Sequence, residues 1–357
     1  MNTHLSTAKI LITGGAGFIG TNLAHRLLNN GNEVVIFDNL SREGSKKNLQ
    51  WLSKNHKEKL IIKTGDIRDI AAVKDAVNGV DHVFHLAAQV AVTRSLQMPV
   101  EDFDINLRGT LNLLESIREC SCLPKLLFTS TNKVYGNLSH IPLTKSKTRY
   151  HVLNPSELIG KKSFLDFYSP YGCSKGAADQ YVLDYSRNYG LNAVVFRMSC
   201  IYGPHQYGNE DQGWVAHFMM RALDCIPVTV FGDGCQVRDI LYIDDLINAM
   251  ALVMNSSSLL SGQAFSIGGG PENTLSLVEL LDYIQKFHGH TPPIQFAPWR
   301  AGDQKYYVSD TSEFSRLTGW SPEVNVPLGL EKLYLWLKTV KSYSSENESK
   351  SVYTPIG

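Results

Sequence analysis

An α/β fold with a doubly wound parallel sheet, joined to a smaller α/β lobe of discontinuous segments, is what this sequence predicts. Three observations carry the prediction. Short apolar, β-branched runs alternate with amphipathic helical patterns through roughly the first 200 residues. A glycine-rich turn follows the first of these runs and opens a helix. Chemically distinctive residues collect at the C-terminal ends of the runs, where ligands bind in open α/β sheets.

The first run, Lys9 to Thr13, leads into Gly14-Gly-Ala-Gly17-Phe-Ile-Gly20 and then an amphipathic helix to about Leu28, closed by Asn29-Asn30-Gly31. Gly14 suits a tight turn, Gly17 a close approach of backbone to a pyrophosphate, and Gly20 close helix–strand packing. The free N–H groups at the helix start favour phosphate. A second strand, Glu33 to Phe37, ends in Asp38, eighteen residues beyond Gly20, where a dinucleotide fold of the Rossmann type places its ribose-binding acid. A carboxylate there repels a 2′-phosphate and favours NAD over NADP; Arg42 nearby softens that discrimination.

The alternation continues. Lys59 to Lys63 reads as the third strand, ending at Gly65-Asp66-Ile67, where a side chain can meet the adenine. His82 to Leu86 reads as the fourth, ending in Ala87-Ala88-Gln89, small enough for a cofactor to pass. A long helix follows through 106–115. Lys125 to Phe128 is the fifth strand, leading into Thr129-Ser-Thr-Asn-Lys-Val-Tyr-Gly136, and Asn192 to Arg197 is the sixth. Residues 1–204 form the dinucleotide-binding lobe in this reading, rejoined by a helix over 244–254 and a strand over 264–268, within a returning segment 243–268. Segments 205–242 and 269–340 form the substrate lobe, and 341–357 a polar tail.

The chain has 357 residues with 43% hydrophobic and 19% charged content, the composition of an ordinary globular protein. Lys plus Arg equals Asp plus Glu at 34 each, so no charge excess points to nucleic acid or an anionic membrane. No apolar run of spanning length and no leader pattern is evident, from which a cytoplasmic location is expected. Six cysteines lack paired metal spacing, and Cys120-x-Cys122 has no second half, so no metal is expected.

Chemistry centres on Tyr171-Gly-Cys-Ser-Lys175. Pro170 suits a helix start, and positions four apart share a helix face, so the Tyr171 phenol and the Lys175 ammonium can reach one site. A phenol titrates near about 10, and a neighbouring cation lowers that value toward what proton abstraction needs. His85 lies inside an apolar strand and reads as a hydrogen-bonded core histidine.

Thr13-Gly-Gly-Ala-Gly-Phe-Ile-Gly20, Tyr171-x-x-x-Lys175 and the hydroxyl-bearing strand end 129–131 together resemble the extended short-chain dehydrogenase/reductase family of nucleotide-sugar epimerases, dehydratases and decarboxylases, over about 8–340. Within it, Ser130-Thr-Asn-Lys-Val-Tyr-Gly136, Asp211-Gln-Gly-Trp-Val215 and Phe37-Asp-Asn-Leu-Ser-Arg42 are similar to members acting at C2 of CDP-linked deoxyhexoses. The resemblance implies that Tyr171 is the acid/base, that Lys175 tunes it and binds the nicotinamide ribose, and that Thr131 holds the reacting hydroxyl. It implies NAD as cofactor, met by Gly14, Gly17, Phe18, Ile19, Gly20, Asp38, Asn39, Ser41, Arg42, Asp66, Ile67, Leu86, Ala87, Ala88, Gln89, Thr129, Tyr171 and Lys175. For the nucleotide sugar it implies Thr131, Asn132, Cys200, Arg238, Arg300 and Asp303, the arginines clamping the diphosphate.

Departures from the family pattern discriminate among reactions. The 4,6-dehydratases carry Asp then Glu after the catalytic Thr; here Asn132 and Lys133 stand there, and an amide with an ammonium cannot serve as a carboxyl pair. Cys200 replaces a common Asn, and 137–170 is a long insertion. These shift the expected outcome from C4 toward C2 epimerisation. A UDP-sugar 4-epimerase or a nucleotide keto-sugar reductase is the alternative on the same fold, while intact Thr131, Tyr171 and Lys175 oppose a catalytically silent binding protein. A homodimer or homotetramer is expected from the family.

Overall fold

The computed structural model describes residues 8–154, 158–160, 163–256 and 258–351. Its centre is a seven-stranded sheet in the order Gln263–Ile267, Ala193–Met198, Lys125–Thr131, His82–His85, Lys9–Thr13, Glu33–Asp38, Leu60–Thr64. Every neighbouring pair is parallel. The chain order reverses between Lys9–Thr13 and His82–His85, which opens the crevice at their C-terminal ends. The apolar runs make this sheet because both faces are covered. Ile10, Ile12, Val34, Ile36 and Leu127 pack with Leu23, Leu27, Leu246 and Met250 on one side. Leu11, Val35, Val83, Leu126 and Phe128 pack with Val73, Leu113, Leu114, Ala178 and Val182 on the other. A strand buried on both faces has no reason to alternate with polar residues, hence the continuous hydrophobic runs.

The glycine turn is as tight as its sequence requires. Gly14 has φ +68 and lies so near Leu86–Ala87 that a Cβ would fall 2.7 Å from the Ala87 nitrogen. A Cβ on Gly20 would lie 2.6 Å from both the Gly14 oxygen and the Gly15 Cα. Both obstacles are backbone, which cannot rotate away. Gly20→Ala is therefore expected to cost about 1–3 kcal/mol in urea unfolding; unchanged stability would show that this contact is slacker than described.

The long helix expected through 106–115 is broken into Val92–Gln97, Pro99–Phe103, a π-helical turn Asp104–Arg108 and Gly109–Arg118. Met98 precedes a proline and leaves the helical region (φ −131, ψ 63). The π turn faces Asn106 inward, where Nδ2 donates to the Gln89 carbonyl (3.0 Å), Asp102 Oδ1 (3.1 Å) and Ser174 Oγ (3.1 Å).

The second lobe pairs Val228–Phe231 with Ile294–Ala297, and Val237–Tyr242 with Thr274–Ser276, Tyr306–Tyr307 and Cys200–Tyr202. A hairpin inside the insertion, Leu143–Lys145 with Tyr150–Val152, packs on this lobe: Tyr150 N–H donates to the Cys235 carbonyl (3.0 Å), and Arg149 Nε to Glu279 Oε1 (2.6 Å). Insertion residues 155–157 and 161–162 lie outside the described residues. The last helix, Val326–Ser351, runs into the stretch expected to be a polar tail; 352–357 lie outside the described residues. On the second lobe, Cys225 Sγ stands 3.5 Å from His290 Nε2 beside His288, whose Nδ1 is bonded to the Tyr334 hydroxyl (2.9 Å). Among the described residues no helix is long and apolar enough to cross a membrane.

Candidate active site

The helix Phe18–Asn29 begins at Gly17 with no side-chain cap and no acidic residue in its first turn, so its leading N–H groups face the crevice. A Cβ on Gly17 would meet only the Gly14 oxygen, at 3.1 Å, and the space beyond is open. Asp38, at the end of the second strand, is held by two backbone donors: Ala16 N–H to Oδ2 (3.0 Å) and Leu40 N–H to Oδ1 (2.8 Å). A narrow glycine floor, a free helix start and a fixed carboxylate form a cradle that fits a dinucleotide's pyrophosphate and ribose. Phe18 and Ile19, half-buried, form the first turn of that helix.

The other residues expected at the cofactor line the same strand ends. Asn39 donates to Asp66 Oδ2 (3.0 Å), and Ser41 Oγ to Asn39 Oδ1 (2.7 Å). Arg68 binds the Asp66 carboxylate through Nε and Nη2 and holds it far below the usual carboxylate range, with burial opposing. Ile67 is buried against Gly109 and belongs chiefly to the core. Leu86, Ala87 and Ala88 are half-buried at the crevice, whereas the Gln89 side chain turns inward and donates to Asp102 Oδ1 (2.7 Å). Thr129 Oγ1 donates to the His85 carbonyl (3.1 Å).

Tyr171, Thr131 and Lys175 are brought together. The helix Ser169–Tyr189 starts with Pro170, and Gly172 lets it approach the Lys133 carbonyl, 3.2 Å from where a Cβ would be. That contact places the phenol near enough to the Thr131 hydroxyl for the hydroxyl to act on its ionisation. All three side chains are buried. Burial, opposed by the Thr131 hydroxyl, reinforced by Asp102 and opposed by the Arg42 guanidinium, leaves the phenol pushed up to about 12. Here the structure departs from expectation. The Lys175 ammonium is directed away, donating to the Thr129 carbonyl (2.6 Å) over the Phe128 ring (4.1 Å to its centroid), so Thr131 and Arg42 exert the pull assigned to Lys175. Burial pushes Lys175 itself down to about 7, against Asp179 and Asp102.

The substrate side splits into two groups. Cys200, Arg238 and Asp303 surround the Lys133 ammonium closely enough to act on its charge. Asn132 Nδ2 donates to Gln304 Oε1 (3.4 Å). Arg300 is engaged elsewhere: Nη1 donates to the Glu210 carbonyl (3.0 Å), lies 3.6 Å from Asp211 Oδ1, and the guanidinium covers the Phe231 ring. Cys200 Sγ accepts from the Trp214 indole N–H (3.4 Å).

Sequence reasoning missed Asp102 and Asp179. Asp102 is buried and accepts from Ser174, Gln89 and Asn106, beside the Tyr171 helix. Asp179 receives both forks of Arg197, Nε at 2.8 Å and Nη2 at 2.9 Å, and ties that helix to the sheet. Only the second left a trace, since an acid one turn beyond Lys175 lies on the helix face that Tyr171 and Lys175 share.

His85 is the core histidine expected. Thr110 Oγ1 donates to the Asn106 carbonyl (2.5 Å), so it accepts from His85 Nε2–H (3.0 Å), and the Thr13 hydroxyl serves Nδ1 (2.7 Å). Burial, then Lys175, push its pKa down to about 3. An unfolded histidine protonates near about 6.5, so the unfolded chain binds the extra proton and stability falls as pH drops from there toward 3. Wild type is expected to lose about 1.4 kcal/mol per pH unit more than His85→Gln across that window. Parallel pH profiles in urea unfolding would contradict the neutral assignment.

Residues 10–268 match the NAD dependent epimerase/dehydratase family. The chain is 42% identical to the CDP-paratose 2-epimerase of Salmonella typhi over 93% of its own length and 100% of that protein's. It is 32% identical to a putative UDP-glucose 4-epimerase of Methanocaldococcus jannaschii, covering 92% and 98% of the two chains. Its fold is similar to the UDP-glucose 4-epimerase of Thermus thermophilus solved with NAD (TM-score 0.78, 32% identity, 92% of this chain and 99% of that one). It is also similar to the UDP-glucuronic acid 4-epimerase of Bacillus cereus solved with UDP-glucuronic acid and NAD (TM-score 0.80, 28% identity, 93% and 99%). The glycine cradle, the reversed strand order and these matches agree, and the chain belongs to the NAD dependent epimerase/dehydratase family.

Proposed function

We propose that this enzyme inverts C2 of a CDP-linked 3,6-dideoxyhexose, interconverting CDP-paratose and CDP-tyvelose, with no net redox change. The observation that carries the reading is the 42% identity to a CDP-paratose 2-epimerase across that protein's whole length. Asn132 and Lys133, which cannot act as a carboxyl pair, argue against dehydration. The 4-epimerase alternative rests on lower identity, 32%.

Bound NAD supplies the hydride acceptor and donor at the sugar carbon. The protein's part is positioning and proton transfer. Tyr171, as phenolate, takes the proton of the sugar hydroxyl and later returns it. The nearby Thr131 hydroxyl favours the ionised form, and Arg42 adds its positive field. Lys175 is anchored at the Thr129 carbonyl. The lobe 205–242 with 269–340 holds the nucleotide, and Arg238 meets the diphosphate, joined by Arg300 once that side chain leaves Asp211 and the Glu210 carbonyl.

We also infer a cytoplasmic enzyme that self-associates through Leu96, Met98, Val100 and Phe103, which are exposed around the broken helix. Light scattering on the purified protein checks this. For the reaction, NMR of CDP-paratose with the NAD-loaded enzyme is expected to show tyvelose formation with no added reductant consumed. A C2-deuterated substrate is expected to react more slowly and keep its label at C2. Inversion at C4, or stoichiometric use of NADH, would defeat the proposal.

A further inference from the structure

Two cations, Lys133 from the first lobe and Arg238 from the second, lie near each other with no carboxylate of the described residues bound to either. Arg238 is only 9% exposed, and its guanidinium donates to its neighbour's carbonyl, Val237 O (2.8 Å). Lys133 donates to the Gly302 carbonyl (3.0 Å). Arg300 has Asp211 and Arg197 has Asp179, whereas neither Lys133 nor Arg238 forms a salt bridge among the described residues. Burying one charge is costly, and burying two of like sign together costs more unless an anion joins them. Burial, then the Arg238 charge, push the Lys133 ammonium down to about 8, with Asp303 and Cys200 opposing.

Location favours a ligand over a purely structural role. Lys133 is two residues beyond Thr131, and its backbone N–H donates to the Thr131 hydroxyl oxygen (3.2 Å). Gly302, its carbonyl partner, lies in the loop that carries Arg300 and Asp303. Gln304 extends the same junction, donating to the Gly136 carbonyl (2.7 Å). Lys133 thus meets the sugar-reacting hydroxyl through its backbone N–H and feels Arg238 through its ammonium, a placement suited to the phosphate next to the sugar.

We propose that Lys133 is a substrate-binding residue, a cationic contact to the diphosphate that acts with Arg238 and joins phosphate binding to placement of the sugar at Thr131. This rests on the nucleotide-sugar reading above. Because an arriving anion favours the charged amine, substrate binding draws a proton from solvent.

The test is calorimetric titration of the NAD-loaded protein with CDP-glucose, whose diphosphate has no group ionising near pH 8, in two buffers of different ionisation enthalpy. At pH 8 the wild type is expected to take up roughly half a proton, since a group titrating there is half charged. Lys133→Met is expected to bind about 10- to 100-fold more weakly with no uptake. Lys133→Arg, permanently charged, is expected to keep most of the affinity and also show no uptake. Lys133→Met with wild-type affinity and proton uptake would overturn the assignment, and so would a lowered melting temperature as its only effect. Arg238→Met separates the two claims: wild-type affinity there defeats the nucleotide-sugar reading, whereas loss there beside an unaffected Lys133→Met defeats only the role of Lys133.

Discussion

Replacing Tyr171 by phenylalanine is expected to lower turnover by about 10²- to 10⁴-fold, the range that a positioned acid–base group contributes. Only an oxygen is removed. The ring stays packed in its buried place, so the fold and NAD content are expected to be unchanged, as read by thermal melting and by absorbance of the cofactor released on denaturation. Thr131→Val provides a graded companion. It deletes the hydroxyl that keeps burial from pushing the phenol above about 12, so its activity loss is expected to shrink as pH rises. Normal epimerisation by Tyr171→Phe would end the proposed chemistry.

The largest stability effect is expected at Asp179. This carboxylate and Arg197 form a two-pronged pair with the arginine 6% and the aspartate 0% exposed. Arg197 also reaches the Tyr135 hydroxyl (3.4 Å), which meets Ser266 Oγ at 3.1 Å. Asp179→Asn leaves a buried guanidinium without its counter-charge and is expected to cost about 3–5 kcal/mol in urea unfolding. Because Asp179 lies on the helix that carries Tyr171 and Lys175, activity is expected to fall with it. The double variant Asp179→Leu/Arg197→Met removes both charges and is expected to regain most of the stability, since a buried pair and its apolar substitute often differ little. A single variant within about 1 kcal/mol of wild type, on the order of an exposed pair, would mean that water reaches this site.

Much of the first lobe was legible because its signals are local. Apolar runs mark strands covered on both faces, Gly14 and Gly20 sit where turn and packing exclude a Cβ, and Asp38 falls at its expected distance. Tyr171 and Lys175 share a helix face by simple spacing. The helix broken at Met98–Pro99 was less legible, since its amphipathic pattern continues across the break and the π turn is set by what Asn106 bonds to.

The sequence alone therefore determined the sheet, the glycine cradle and the placing of Tyr171 and Lys175 on one helix, because each depends on neighbours within a strand or a helical turn. Tertiary structure decided which groups tune that phenol, where Lys133 lies, and which carboxylates anchor the helix. Ser174 meets Asp102 across 72 positions and Asn132 meets Gln304 across 172, and only packing brings such pairs together. A buried charge is governed by what surrounds it in space, and spacing along the chain does not encode that.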